Sequence, residues 1–292
     1  MALETTKVFP TLTETPKARF RFDGMNILRW TILIVTSIIA LFPMYWLFAN
    51  AFTPITSNPP LTPILVPAFK LDNFERLLAN NKFYLNWMVN SLVVACVVTA
   101  FHCLFDTMAG YAFAKKRFPG RNLLFVLILS TLMIPIHVTF IPLYLINRQL
   151  GLIDSLWALI LPGTAWVFGI FLMRQYIQTL PGELIDAAKI DGCGEWGVFR
   201  YVIFPLSLPA VAALAIFTFV RSWNDFLWPV IALNKPQNYT LTVGVANLQG
   251  EFMTDWGIIF SGAALAALPM IIFFLFFQKY FLEGVRMGAL KG

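Results

Sequence analysis

Charged side chains are what this sequence has least of. Only 12% of its 292 residues are Asp, Glu, Lys or Arg, against 59% hydrophobic, and the mean hydropathy is +0.73. A water-soluble domain typically carries about 25% charged residues, so a soluble globular class is excluded and hydrocarbon is the expected solvent. Cysteine and histidine are scarce too. Of three cysteines, Cys96 and Cys103 fall in an apolar run and Cys193 in a polar loop, which gives neither a disulfide framework nor paired metal spacing. Two histidines, His102 and His137, make no zinc cluster. The chain has no GxxxxGK[ST] loop, no G-x-S-x-G and no metal-spaced carboxylates. ATP binding by the usual phosphate loop and intramembrane enzyme chemistry are therefore not expected. The first 24 residues hold seven charged side chains and no apolar core, so a polar tail is expected there and not a cleavable signal peptide.

Apolar runs are what the chain has in abundance. A helix crossing ~30 Å of hydrocarbon needs about 20 mostly apolar residues, and six runs qualify: Trp30 to Phe52, Met88 to Phe113, Leu123 to Ile146, Ser155 to Met173, Leu206 to Leu233 and Ile258 to Phe277. Pro135 and Pro142 are each expected to kink or interrupt the third. Small residues in the sixth, from Ser261 to Ala267, permit close helix approach. The fold class that follows is an all-α membrane protein of six transmembrane helices. Its expected organisation is a cytoplasmic tail (1–25), a membrane domain (26–283) and a cytoplasmic C-terminal tail (284–292).

The net charge of +6 is not gathered into a nucleic-acid patch. With the N-terminus inside, fifteen of the 21 Lys and Arg fall on the cytoplasmic side. Lys70, Arg76, Lys82, Arg148 and Lys235 fall outside, and Arg221 lies within a span. This bias places both termini in the cytoplasm. The outer segment from Thr53 to Trp87 opens with a proline-rich stretch, and Asp72 to Asn80 within it can form a short surface helix.

A polar cytoplasmic loop, 181–209, separates the fourth and fifth runs. Pro181, Gly182 and Glu183 are helix-start chemistry, Ala187 and Ala188 form a low-profile knob, and Asp191-Gly192 is a stop. A second amphipathic stretch runs from Glu195 to Phe204. A plain connector needs only a few residues, so the length favours a docking surface. Inside the fifth run, Arg221 and Asp225 are four residues apart, close enough to neutralise each other. On a continuous helix Phe217, Arg221, Asn224, Asp225 and Trp228 share an arc of about 100°. That stripe suits hydrogen bonding and stacking to a sugar; the alternative is that the pair only locks helix packing. His102 and Asp106, also four apart, are expected to be a structural pair, with a proton relay as the alternative.

The loop resembles the EAA loop of membrane subunits of ATP-binding-cassette importers. Here it reads Asp186-Ala187-Ala188-Lys189-Ile190-Asp191-Gly192 and ends in Phe204-Pro205-Leu206, with Asp186 where the family usually has Glu. TMAGYAFAKKRFPGR (Thr107 to Arg121), MIPIHVTFIPLYLI (Met133 to Ile146), SWNDFLWP (Ser222 to Pro229) and FLEGVRMGALKG (Phe281 to Gly292) are similar to the smaller, maltose-type carbohydrate permeases. The resemblance implies a non-catalytic permease in a bacterial or archaeal inner membrane, forming half of a sugar pathway. Implied partners are a second homologous permease, two ATPases that hold the ATP and Mg, and an external substrate-binding protein. It implies no cofactor in this chain, and Glu183, Asp186, Ala187, Ala188, Asp191 and Gly192 as the ATPase-coupling residues. Glycerol phosphate or a polyol is the alternative cargo, and an ion-coupled carrier the alternative class.

Overall fold

The computed structural model describes residues 24–55, 66–164, 166–249 and 255–289, with side chains to residue 279. The N-terminal tail to residue 23, the proline-rich stretch 56–65 and the last three residues lie outside them. The chain divides into a unit ending at Tyr45 and a unit from Trp46 onward. Helix α1 (Gly24–Ala51) begins in the first, where it exposes Trp30, Ile38, Ile39 and Leu41, each by more than 60%, and ends in the second. Such a surface suits lipid and not water.

The second unit is helical, with no strand among the described residues. A surface helix α2 (Asp72–Asn80) leads into α3 (Tyr84–Lys115). The third run forms α4 (Arg121–Ser130) and α5 (Phe140–Gln149), and the fourth forms α6 (Trp157–Gly163) and α7 (Val167–Gln178). The loop between the fourth and fifth runs holds α8 (Glu183–Ile190) and α9 (Glu195–Val198), which continues through a π turn into α10 (Phe204–Leu206). Then come α11 (Leu208–Trp223), α12 (Leu227–Ala232), α13 (Leu241–Ala246) and α14 (Trp256–Ala289). Four helices are long and apolar enough to cross a membrane, and the number reaches six if each of two bent pairs is one span. Helix α14 continues through residues 284–289, where a tail was expected.

Proline explains the sharpest bend. The third run turns by 95° between Met133 and Ile136. Pro135 lacks a donor, and Ile134 before it is extended (ψ 119°), as the pre-proline position favours. Pro142, expected to disturb the same run, does not: it lies in the first turn of α5, where the N–H has no helical partner in any case.

At about 48 Å, α3 is the long axis of the unit, and α7 and α11 pack along it. Glycine sets the α3–α7 spacing. A Cβ on Gly110 would come within 2.6 Å of the Met173 Cβ, and one on Gly169 would overlap the Asp106 carboxylate. At the end of α3 away from the loop, buried Asn73 of α2 donates its side-chain amide to the carbonyls of Asn50, Ala51 and Thr53 (2.7–3.2 Å), closing the end of α1. One turn on, Arg76 pairs with Asp255 at 2.6 Å. Asp255 in turn accepts from the backbone N–H groups of Gly257 and Ile258, capping α14.

Asn73→Ala strands buried acceptors and should cost about 1–3 kcal/mol, seen as a lower thermal unfolding midpoint in detergent. Lys235→Gln, which breaks a pair to Asp154 made by a side chain 65% exposed, should leave the midpoint nearly unchanged. Equal midpoints for the two variants would contradict the fastening role of α2.

Candidate transport site and coupling surface

Two prolines break helices at the centre of the unit and free carbonyls that must find donors elsewhere. Pro229 cannot donate to the carbonyl of Asp225, and its ring excludes a helix there. The fifth run accordingly leaves helical form between Trp223 and Leu227, and the Asp225 carbonyl accepts from Thr242 Oγ1 at 2.7 Å. Pro162 likewise cannot donate to Ala158, and the Ala158 carbonyl accepts from Trp228 Nε1 at 2.9 Å. Just beyond Pro162 the fourth run breaks between α6 and α7.

The bend of the third run and the break of the fifth meet at a cavity of about 290 Å³. Ile136, His137 and Phe140 enter it from the bend of the third run, and Arg221, Asn224, Asp225 and Trp228 from the break of the fifth. A smaller void of about 50 Å³, reaching Gly163 at the end of α6, shares Arg221 and Asp225 with it. The break of the fourth run supplies Trp166, whose ring lies 4.8 Å from the Arg221 guanidinium carbon. Phe168 continues this aromatic wall from Trp166 to Phe217.

The structure corrects the single stripe expected on the fifth helix. Four of its five residues do line the cavity, but only Phe217 and Arg221 are on α11. Asn224 caps that helix through its amide to the Val220 carbonyl (2.8 Å), and Asp225 turns toward the N–H groups of Phe226 and Trp228 at the head of α12. Arg221 and Asp225, expected to neutralise each other, stay within electrostatic reach, but the guanidinium lies over Trp166 and no direct salt bridge joins the pair among the described residues. Trp228 is 6% exposed, with its ring 5.8 Å from Phe140.

His102 and Asp106 form the expected pair, Nδ1 to Oδ2 at 2.7 Å and fully buried. His102 Nε2 reaches the Gly163 carbonyl, also at 2.7 Å, a partner that helical spacing could not reveal.

At the other end of α7 and α11 lies the loop. Helix α8 covers the expected segment, with Glu183 and Asp186 in its first turn, where acid is favourable. Gly192 has φ +84°, and two bonds close the helix over it: Gly192 N–H to Lys189 O and Cys193 N–H to Ala188 O. The two alanines part company. Ala187 is exposed, but Ala188 is 8% exposed and packs inward with Ile185, so a knob of both alanines is not what the loop presents. That inner face joins Tyr111 of α3, Met173 and Ile177 of α7, and Val211 and Leu214 of α11 in one core with Val198, Phe199 and Ile203.

Charge holds the loop from outside this core. Glu195 is paired with Lys116 at the end of α3 and lies 3.5 Å from Lys189 of α8. Lys115 Nζ donates to the Leu180 carbonyl, 2.5 Å away. Lys116 above all holds the Glu195 carboxyl below its ordinary range. Sequence reasoning did not single out Glu195, Lys116 or Trp166, whose partners are far away along the chain.

Broken spans around a polar, aromatic-walled cavity, with an exposed loop helix keyed into the same helices, define a membrane permease. The chain belongs to the family of binding-protein-dependent transport system inner membrane components, whose pattern matches residues 106–287; it is the permease subunit of an ATP-binding-cassette importer. It is 38% identical to the arabinooligosaccharides transport system permease protein AraQ of Halalkalibacterium halodurans, over 91% of this chain and 98% of that one. It is 32% identical to the sn-glycerol-3-phosphate transport system permease protein UgpE of Brucella abortus, over 89% of this chain and 95% of that one. Its fold is that of a chain in the crystal structure of a bacterial importer of the acidic polysaccharide alginate. The TM-score is 0.79 at 21% identity, covering 91% of this chain and all of that one.

Trp228→Phe keeps an aromatic side chain but removes the indole donor to Ala158, so it should lower stability by at least about 1–3 kcal/mol, read from the unfolding midpoint; no change would mean that the carbonyl has another donor. The Glu195 carboxyl is lowered, so its pairing is complete above its ordinary value (~4.3) and is lost only as pH falls through the lowered one. Coupling of ATP hydrolysis to transport should therefore be flat between about pH 6 and 8 yet weaken as salt rises well above ~0.15 M. A pH-sensitive, salt-insensitive coupling ratio would refute that assignment.

Proposed function

We propose that this subunit forms half of the translocation pathway for a neutral sugar, most simply an oligosaccharide, and that its cavity at Arg221 and Asp225 is part of that pathway. The observation that carries this is the meeting of two helix breaks on a cavity bearing a cation, a carboxylate, an amide and indole and phenyl rings, with Trp166 from a third break set against the cation. Irregular backbone at membrane depth is tolerated where it lines such a cavity. Hydroxyl groups need both donors and acceptors, and sugar ring faces stack on aromatics. A doubly charged phosphate suits the cavity less, because the Asp225 carboxylate faces the same space as Arg221. The likeness to an arabinooligosaccharide permease supports the sugar; the likeness to a glycerol-phosphate permease keeps that solute in the test.

In this reading a second homologous permease supplies the other half of the pathway. Two cytoplasmic ATPases hold ATP and Mg, an external binding protein delivers the solute, and both termini are cytoplasmic. The exposed face of α8, with Glu183, Asp186, Ala187 and Asp191, seats in an ATPase, and Gly192 sets its end. Ala188 acts from the inside, as part of the core that joins α8 to α7 and α11. Each of those two helices has one end in that core; the other end of α11 lies at the cavity and that of α7 beside Trp166, which touches Arg221, so a push on α8 reaches the pathway through two short rods.

The assembled importer in proteoliposomes provides the test. Labelled arabinotriose, lactose and glycerol 3-phosphate are offered through the cognate binding protein, and a sugar should be taken up in preference to the phosphate. Ala187→Arg should leave ATP hydrolysis in place and abolish uptake, while Arg221→Ala and Asn224→Ala should reduce uptake about tenfold or more, the scale of one lost charged hydrogen bond. Wild-type uptake in Ala187→Arg would end the docking assignment, and wild-type uptake in both cavity variants would end the pathway assignment.

A further inference from the structure

The buried His102–Asp106 pair has a place in the structure that helix packing alone does not require. The fourth run is interrupted between Gly163 and Val167, and residues one turn apart on α3 hold both flanks of that interruption. On the near side, His102 Nε2 takes the Gly163 carbonyl at 2.7 Å. On the far side, Asp106 lies so close to Gly169 that a Cβ there would overlap its carboxylate. Between the flanks, Trp166 sets its ring edge-on to the His102 imidazole, with centroids 6.0 Å apart. Its ring also lies 4.8 Å from the Arg221 guanidinium carbon.

The proton inventory of this arrangement is fixed by its partners. The Gly163 carbonyl can only accept, so His102 Nε2 carries a hydrogen. One further proton lies in the 2.7 Å contact between Nδ1 and Asp106, and whichever atom holds it, the pair is neutral as a whole. A neutral pair with both ring nitrogens hydrogen-bonded is buried at far less cost than a lone charge. It can hold an interrupted helix in one geometry where hydrocarbon offers no other donor.

We propose that His102 and Asp106 are positioning residues for the transport site: they fix the interruption of the fourth span so that Trp166 is held beneath Arg221 and directs its charge into the cavity. This rests on Arg221 lining the solute pathway. A desolvated cation–π contact is worth up to about 2 kcal/mol, so its loss corresponds to roughly tenfold or more in a step that depends on Arg221.

The test uses the whole importer in nanodiscs and proteoliposomes, with 5-fluorotryptophan incorporated and the Trp166 resonance assigned by its disappearance in Trp166→Phe. His102→Phe should shift the Trp166 fluorine resonance and lower uptake per ATP hydrolysed about tenfold, the probe being arabinotriose or whichever solute of the panel is transported. Gly169→Ala, which displaces Asp106 from the opposite side, should do the same and carries the test if His102→Phe fails to assemble. Asp106→Asn should stay near wild type in both readouts, because the amide can donate to Nδ1 while Nε2–H still donates to Gly163. An unmoved Trp166 resonance in His102→Phe and Gly169→Ala, or an Asp106→Asn as impaired as His102→Phe, would overturn the proposal. A moved resonance with unchanged uptake would uphold the link from His102 to Trp166 and overturn Arg221 as a pathway residue.

Discussion

A backbone carbonyl without a donor inside hydrocarbon costs several kcal/mol, and a proline beyond the first turn of a helical run creates one. Much of the centre of this permease follows from how two of them are satisfied. Pro162 frees the Ala158 carbonyl, which holds the Trp228 indole; Pro229 frees the Asp225 carbonyl, which holds the Thr242 hydroxyl. Each bond ties the backbone at an interruption to a different helix, α12 in one case and α13 in the other. The interruptions are thereby made rigid, and the residues between helices, Asn224 and Asp225 among them, are free to face the cavity.

The same helices serve two ends. Both α7 and α11 reach the core beneath α8 and α9; α11 runs from there to Arg221 at the cavity, and α7 to the break that sets Trp166 against Arg221. This explains why the loop is long and why its inner face is apolar. Ile185, Ala188, Val198 and Phe199 give it the contacts of a folded interior, while Ala187 and Ile190 remain exposed. The carboxylate of Glu195, shared between Lys116 and Lys189, adds a polar tie from the loop to α3.

How much of this could be read in the sequence depended on the range of the interaction. The six apolar runs, the short helix Asp72–Asn80 and the helix–glycine–helix loop depend on composition and local turn chemistry, and all of them were legible. The interruption of the fifth run was legible in principle, because Pro229 stands four residues after Asp225. Hydropathy masked it, since Phe226, Leu227 and Trp228 continue an apolar run through the break, and a rotation of 100° per residue was carried across backbone that is not helical. His102 to Gly163, Arg221 to Trp166 and Lys116 to Glu195 bridge distant segments. No periodicity encodes them. The inward turn of Ala188 was hidden for a related reason: two adjacent alanines look alike until a tertiary neighbour distinguishes them.

The glycine contact between α3 and α7 carries a mechanical consequence. Gly110 meets α7 at Met173, near the midpoint of a helix that runs from Val167 to Gln178. At 1.5 Å per residue the arms on either side are about 9 and 8 Å long. A stiff rod tilting about that contact is a lever of nearly unit ratio: its end beside the loop and its end beside Trp166 move by similar amounts in opposite directions. A methyl group at position 110 would lift the fulcrum off its bearing.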